Sequence, residues 1–279
     1  MYYSDAHNDV LTSLDDNALD DYFNSVCRDK VKILNCAIFT TTHHLGLKKI
    51  EEFVVRLKRN RPYRKHLIFS IEDVSTLSID EIKILVKLRP VSCTLTWNDD
   101  NLYAGGALGK IGITKKGREI IHILEENNVF VDTAHLNKKS FWAFSRVTKK
   151  PIYNSHSNLF ALKRHKRNLT DKQIEQIVKT NGFLGITIYQ KFIAESRINA
   201  RDVANQFDYL IKHFGYKNFG LGTDFFGIDD EFLPQDIQRY KDLKNIANEL
   251  KRLGYSNNMI RHLMYKNYLR FLKENALLD

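Results

Sequence analysis

Residues 129–156 read VFVDTAHLNKKSFWAFSRVTKKPIYNSH and contain a strand, a helical segment and a second strand, with a histidine closing each strand. The apolar run 129–134 ends at His135, and the later run 151–155 ends at His156. Two buried strands joined by a covering helix are typical of a βαβ unit with parallel strands. Because parallel strands gather their carboxyl ends at one edge, the two histidines are expected to lie close together.

The same alternation of short apolar runs and amphipathic segments continues along the 279-residue chain. Near-continuous apolar strands covered by helices indicate a parallel sheet. Eight such strands over this length favour an α/β fold of the (β/α)8 TIM-barrel type, and we expect residues 1–279 to form a single catalytic domain. The strand candidates are 2–6, 33–41, 66–72, 91–97, 129–134, 151–155, 182–189 and 218–224, and the helix candidates are 48–60, 79–88, 114–127, 137–147, 170–180, 199–214, 235–252 and 256–274.

Several helix ends are marked by capping residues. Thr170 followed three residues later by Gln173 is typical of a capping box, and Thr114 is placed to cap the helix that follows it. The Asn127-Asn128 pair is expected to end that helix before the next strand.

The chain is basic, with a formal net charge of +10 and a pI near 9.3. Such a balance can indicate a nucleic-acid partner. However, the lysines are spread over many segments, and only residues 163–167 form a compact basic cluster. We interpret the charge as a solvated basic surface that can attract anionic substrates, and we expect no nucleic-acid partner.

The sequence gives no indication of membrane association or export. No apolar run is long enough to span a bilayer, and the N-terminal residues do not resemble a signal peptide. Cys27, Cys36 and Cys93 are odd in number and lack metal-binding spacing, which favours free and mostly buried thiols. A cytoplasmic location is therefore expected.

Residues of the types that bind metal ions close several of the strand candidates. A lone histidine or carboxylate at a strand end is often structural, but the repeated placement predicts that imidazoles and carboxylates share metal ions. His43 and His44 also follow an apolar strand and are rival ligands. The main candidates are His7, Asp9, Glu72, His135, His156 and Asp224.

The chemistry of these residues indicates separate roles. Side chains alternate along an extended segment, so His7 and Asp9 can reach the same ion, with Asp5 on that face as a partner for a ligating histidine. The two oxygens of Glu72 allow it to bridge two cations. Asp224 can transfer a proton between an attacking water and a leaving amine, and Arg167 can pair with a substrate carboxylate.

Taken together, these segments resemble the membrane (renal) dipeptidase family of zinc peptidases, in a shorter bacterial-type form. The resemblance covers nearly the whole chain, in order. The matching segments are Asp5-Ala6-His7-Asn8-Asp9, Glu72, Leu95-Thr96-Trp97-Asn98, Val131-Asp132-Thr133-Ala134-His135, Ser155-His156-Ser157-Asn158, Arg167-Asn168-Leu169-Thr170-Asp171, Gly222-Thr223-Asp224-Phe225 and Asn267-Tyr268-Leu269-Arg270.

The resemblance implies a barrel with two zinc ions (Zn2+) and a dipeptide substrate. His7 and Asp9 would bind one ion, His135 and His156 the other, and Glu72 would bridge them. The family relationship further implies a bridging hydroxide as nucleophile and tolerance of a D-residue on the C-terminal side. Asp224 would be the catalytic acid and base, Arg167 would hold the free carboxylate, and Tyr189 matches a substrate-contacting tyrosine.

One departure from the family pattern concerns the tetrahedral oxyanion. Animal-type members have a histidine where this chain has Trp97, whose indole N–H cannot act in the same way. Asn98, Asn101 or a zinc ion are the candidates to replace that histidine. Of the two asparagines, we expect Asn98 to contact the substrate.

Two other functions remain open from the sequence. The first is another dimetal barrel hydrolase that acts on an ester, a lactone or a cyclic amide. The second is a non-catalytic basic binding protein that keeps the fold, which would have no need for five ligands and Asp224. The sequence is compatible with a homodimer but does not decide the oligomeric state.

Overall fold

The computed structural model describes residues 1–41, 44–59 and 67–278 and contains a closed barrel of eight parallel strands in chain order. This confirms the predicted (β/α)8 architecture, and every strand candidate overlaps an observed strand, although residue 66 lies outside the described residues. The strands are β1 Tyr3–Asn8, β2 Val31–Phe39, β3 Leu67–Glu72, β4 Ser92–Thr94, β5 Phe130–Asp132, β6 Tyr153–Ser157, β7 Phe183–Ile186 and β8 Phe219–Leu221.

Helices surround the barrel, as the amphipathic segments predict. The candidate 256–274 is interrupted by a π-helical turn, His262–Lys266, and residue 60 of the first candidate lies outside the described residues. Within the described ranges, no helix is long and apolar enough to cross a bilayer. The α-helices are α1 Val10–Ser13, α2 Asp16–Arg28, α3 Leu47–Arg59, α4 Ile79–Leu85, α5 Lys115–Glu126, α6 Lys138–Ser145, α7 Asp171–Lys179, α8 Gln190–Ile193, α9 Ala200–Phe214, α10 Lys244–Arg252, α11 Asn257–Arg261 and α12 Asn267–Glu274.

The predicted helix ends are present. Thr114 accepts a hydrogen bond from the Gly117 N–H, and Asn127 is the residue at which α5 ends. The Gln173 side chain accepts from the Thr170 N–H at 3.1 Å, which forms one half of the capping box. These local interactions fix where the covering helices begin and therefore how far each strand-end loop extends.

The N-terminal end of the barrel is closed by α12. The aromatic ring of Phe271 lies 5.2 Å from Phe130, 5.3 Å from Tyr153 and 5.8 Å from Phe183, measured between ring centroids. These three partners are the first residues of β5, β6 and β7, and all four rings are buried. The barrel interior is thus packed at this end, and the active sites of this fold form at the opposite, carboxyl end.

We expect Phe271→Ala to lower the free energy of unfolding by about 3–5 kcal/mol, because it leaves a cavity among three buried aromatic rings. Chemical denaturation measures this loss, and Lys273→Ala, on the exposed face of the same helix, should change little. A loss no larger than that of the lysine variant would show that α12 does not contribute to closing the barrel.

Candidate functional site

The carboxyl ends of five strands, from β1, β3, β5, β6 and β8, bring six titratable side chains together. Five of these side chains are at most 15% exposed, and the sixth residue, His156, is buried. All were singled out from the sequence, where they are far apart. They are His7, Asp9, Glu72, His135, His156 and Asp224.

His7 lies at the centre of this group. Its Nε2 atom lies 3.2 Å from Asp9 Oδ2 and 3.3 Å from Glu72 Oε2. The same nitrogen lies 3.7 Å from Asp224 Oδ1. A single imidazole nitrogen therefore faces three carboxylates, an arrangement suited to a shared cation.

Glu72 connects this imidazole to a second pair. While Oε2 faces His7, the other oxygen, Oε1, lies 2.9 Å from His135 Nε2. His135 Nε2 in turn lies 2.9 Å from His156 Nε2. Three sets of ligand atoms lie within 4.8 Å of one another: His7 with Asp9 and Glu72, Glu72 with His135 and His156, and His7 with His156 and Asp224.

The backbone at the end of β1 corrects two expectations from the sequence. Asp9 follows the strand at φ −94° and ψ 17°, so it meets His7 because the chain turns into α1 and not because of strand alternation. The Asp5 carboxylate is hydrogen-bonded to no imidazole of the described residues. It accepts hydrogen bonds from the Thr223 N–H at 2.8 Å, from the Tyr240 hydroxyl and from the His7 backbone N–H, and so ties β1 to the loop after β8.

Two residues of the site have left-handed backbone conformations. His135 has φ 68° and Asp224 has φ 66°, values that are uncommon outside glycine and that recur at functional sites. Close to Asp224, a Cβ atom at Gly227 would lie 2.5 Å from carboxylate oxygens of both Asp224 and Asp9. The loop after β8 can cover these carboxylates only because residue 227 has no side chain.

Burial and neighbouring charges divide the histidines into two kinds. Burial lowers the pKa of His135 to about 4, helped by Arg167, and burial together with His7 lowers the pKa of His156 well below its ordinary value. Burial also acts against a charged His7, but Asp9 and Glu72 outweigh it and raise its pKa well above normal. His135 and His156 are thus held in the neutral form that binds metal ions.

The pKa values of two carboxyl groups, Glu72 and Asp224, are shifted in opposite directions. Burial alone would raise the pKa of Glu72, but His7 and His135 bring it well below its usual range. Burial raises the pKa of Asp224 well above its usual range, and the charges of Asp9 and Glu72 add to this despite the opposing charge of His7. Environments that separate the pKa values of adjacent carboxyl groups are typical of sites where one of them transfers protons.

The chemistry of the buried atoms fits a metal site. His7 Nε2 and both carboxylate oxygens of Asp9 are buried without a hydrogen-bond partner in the described part of the chain. Unsatisfied lone pairs of this kind are costly to bury unless a cation accepts them. Imidazoles with carboxylates, and no thiolate, suit Zn²⁺ or a related divalent transition metal.

Arg167 lies beside the site, and its guanidinium is buried. It is 7% exposed, and no carboxylate among the residues that the structure describes lies within 4.0 Å of its guanidinium. Burial lowers the pKa of this guanidinium to about 10, although the more distant charges of Asp224 and Glu72 act to raise it. Its guanidinium carbon lies 5.4 Å from the centre of the Phe192 ring, which supports one side of the group.

Tyr189 shares that supporting ring. It follows β7 as the residue before α8, and its ring meets Phe192 edge-on at 4.7 Å between centroids. Tyr189 and Arg167 therefore contact the same aromatic side chain at the rim of the site. A role of Tyr189 in substrate contact stays a prediction.

The segment after β4 approaches His135 from the opposite side. Asn98 Oδ1 lies 3.1 Å from His135 Nδ1, so the amide oxygen accepts the ring N–H and leaves Nε2 facing Glu72. The Trp97 ring, 37% exposed, lies 6.1 Å from the His135 ring between centroids. Asn101 instead donates to the Leu95 carbonyl at 2.9 Å.

Of the rival histidines, His44 is exposed in a turn and belongs to none of the ligand groups found among the described residues. His43 lies outside the described residues. The sequence analysis missed two residues beside the site histidines. Ser155 contacts His7 and His156 directly, and Asp132 is hydrogen-bonded to Ser155. Both are polar residues in apolar strand segments, and that position is the signal in the sequence that could have marked them, because a buried polar group needs hydrogen-bond partners.

Comparison with known proteins gives a family match. Residues 39–278 match the family model described as membrane dipeptidase, peptidase family M19. The matched span includes Glu72, His135, His156 and Asp224, while His7 and Asp9 precede it. An uncharacterized Klebsiella pneumoniae protein in the pqqA 5′ region is 30% identical over 190 residues, which are 63% of this chain and 69% of that protein.

Other relatives are less completely covered or less similar in sequence. An uncharacterized dipeptidase of Schizosaccharomyces pombe is 32% identical over 199 residues, 66% of this chain but only 46% of that protein. The crystal structure of the family M19 dipeptidase AC superimposes with a TM-score of 0.87 at 19% identity, covering 99% and 98% of the two chains. A Rhodobacter sphaeroides metallopeptidase, liganded with a phosphinate mimic of L-Ala-D-Ala, gives 0.83 at 19% identity and covers 99% of both chains.

Proposed function

Because the chain belongs to the membrane dipeptidase family, peptidase family M19, we propose that it is a dizinc dipeptidase whose residues 1–279 act as one catalytic domain. The observation that carries this proposal is the buried Arg167 guanidinium, which has no carboxylate within 4.0 Å in the described part of the chain and lies beside a group of metal-type ligands. A dipeptide supplies the missing carboxylate one residue after the bond to be cleaved.

The ligand groups support two metal positions. His7 and Asp9 would hold one ion, His135 and His156 the other, and the two oxygens of Glu72 would reach both. When bound, zinc supplies a Lewis acid for the substrate carbonyl and lowers the pKa of water to about 7. The nearby carboxylates favour a protonated His7, and binding of a metal ion would displace that proton.

Asp224 is placed to move the proton during hydrolysis. Its side chain is 15% exposed, whereas those of Glu72 and Asp9 are 7% and 6% exposed, so it is the carboxylate of the group that substrate and water can best reach. It takes a proton from the attacking water and returns it to the nitrogen of the leaving amine, so that water is added across the peptide bond.

Arg167 would select substrates by their length. A guanidinium with five N–H donors in a fixed fork pairs with a carboxylate through two parallel hydrogen bonds. Such a pair forms only when the chain ends close to the metal positions, as it does in a dipeptide. The dipeptide mimic bound by the Rhodobacter sphaeroides relative carries a D-residue at its C-terminal position, and we extend the proposed substrate class to such dipeptides.

Arg167→Met should reduce kcat/KM for dipeptides by about 2–4 kcal/mol, because it keeps much of the apolar stem but loses the charge and the fork. Dipeptide amides, which lack the terminal carboxylate, should already be poor substrates and should change little. The measurement is kcat/KM for one dipeptide and its amide in both proteins. Arg164→Met, at an exposed position of the same loop, is the matched control and should behave as wild type.

Equal losses for the dipeptide and its amide would show that Arg167 acts on the structure of the site and not on the carboxylate. A wild type that prefers the amide, an ester or a lactone would favour the alternative dimetal hydrolase. Protein that contains no transition metal and gains no activity with added zinc would contradict the proposed function and leave the basic binding protein.

A further inference from the structure

The Ser155 hydroxyl lies between two histidines of the site. Its Oγ atom is 2.8 Å from Nδ1 of His156 and 3.4 Å from Nδ1 of His7. Those histidines belong to different metal positions in the proposed function, on which this inference rests. We propose that Ser155 is a positioning residue whose one hydroxyl orients an imidazole at each position and so couples the two metal ions.

The hydrogen-bonding capacity of a hydroxyl fits this role. A serine hydroxyl has one proton to donate and two lone pairs that accept. A histidine that binds metal through Nε2 carries its proton on Nδ1 and donates it to a neighbouring acceptor. Ser155 must therefore accept from both His7 and His156 and donate its own proton elsewhere.

We assign the Asp132 carboxylate as the acceptor for that proton. Its Oδ1 atom accepts the backbone N–H groups of Ala134 and Ser155, each at 3.0 Å, so the carboxylate is held beside Ser155. All members of the chain from Asp132 through Ser155 to the two imidazoles are buried. An ionised carboxylate only accepts hydrogen bonds, so in that state Asp132 sets the direction of the hydrogen bonds through Ser155.

The irregular end of β6 makes this contact possible. Neighbouring residues of a regular strand point to opposite faces, yet Ser155 and His156 both reach the site. The pairing of β6 with β7 shifts register between Asn154 and Ser157, and this irregularity includes both residues. The third histidine, His135, has its own Nδ1 partner in Asn98, so only His7 and His156 depend on Ser155.

Zinc affinity of the metal-free protein, measured by competition with a chromogenic chelator, tests the coupling. Ser155→Ala should weaken both binding steps by about 10- to 100-fold, the usual effect of removing a group that orients metal ligands. Ser157→Ala is the matched control, because this buried serine of the same strand has no hydrogen-bond partner for its hydroxyl among the described residues. It should bind both ions as wild type does.

Asp132→Asn tests the direction of the hydrogen bonds. If the new amide NH₂ faces Ser155, the hydroxyl must donate to an imidazole, which then carries its proton on Nε2, the atom meant for the metal. Nitrogen-15 NMR of the zinc-loaded wild type at pH 8 reports the orientation directly: His156 should carry its proton on Nδ1, toward Ser155. Both zinc-binding steps should weaken in Asp132→Asn.

Three results would overturn the inference: wild-type affinity at either step in Ser155→Ala, an equal loss in Ser157→Ala, or an Nε2–H proton on His156 of the zinc-loaded wild type. The NMR experiment on the wild type needs no variant to fold. Failure of the proposed function is distinguishable, because it appears as a wild type that binds no zinc or cleaves no dipeptide.

Discussion

Replacing Asp224 with asparagine is expected to reduce dipeptide turnover by about 10²- to 10⁴-fold, the contribution usual for one general acid–base group. Asparagine keeps the shape of the side chain and tolerates the left-handed backbone, φ 66°, that residue 224 adopts. What the substitution removes is the ability to hold and return a proton. Turnover is measured at saturating dipeptide, with metal content determined on the same samples.

Metal content should stay nearly constant in this variant, because the two proposed metal positions do not depend on Asp224 for their main ligands. The control is Asp229→Asn, an exposed carboxylate that follows on the same loop, which should retain wild-type turnover. Near-normal turnover in Asp224→Asn would move the proton-transfer role to another carboxylate, either Asp229 or Asp73, the residue that directly follows Glu72.

The barrel could be predicted from the sequence because strands and helices differ in the spacing of their apolar residues. The helix α2 is the instructive omission. Its residues include Asp, Asn, Ser and Cys, which form helices poorly, and it is stabilised by the Asp15 cap and by burial of Leu19, Phe23 and Val26. The spacing of these three apolar residues is that of one helix face, so the signal is present in the sequence but is masked by the weak helix formers around it.

The convergence of the site residues could be predicted for a topological reason. In a closed parallel barrel all strand ends meet at one rim, so a residue such as Glu72 or His156 needs only its place at the end of a strand. Contacts that depend on backbone irregularities could not be predicted in this way. Asp9 turns out of β1 toward His7, and Ser155 faces the site beside His156 because β6 departs from regular pairing.

Glu72→Gln is expected to weaken zinc binding at both positions, reducing the metal content of purified protein from about two ions per chain to below one. The two oxygens of Glu72 face different imidazoles, His7 at 3.3 Å and His135 at 2.9 Å. Glutamine loses the negative charge and places an NH₂ donor where one oxygen was. That donor cannot bind a cation, and the remaining amide oxygen is a weaker ligand for the other.

A comparison with Asp9→Asn separates bridging from ordinary ligation. Of the ligand groups, Asp9 belongs only to the one with His7 and Glu72, so its loss should weaken one zinc-binding step and leave the other near wild type. Elemental analysis after dialysis, followed by zinc titration, distinguishes the two patterns. A Glu72→Gln protein that keeps one ion at wild-type affinity would show that the carboxylate serves a single metal. The short distances from both its oxygens to separate imidazoles would then reflect packing of the histidines and not a shared ligand.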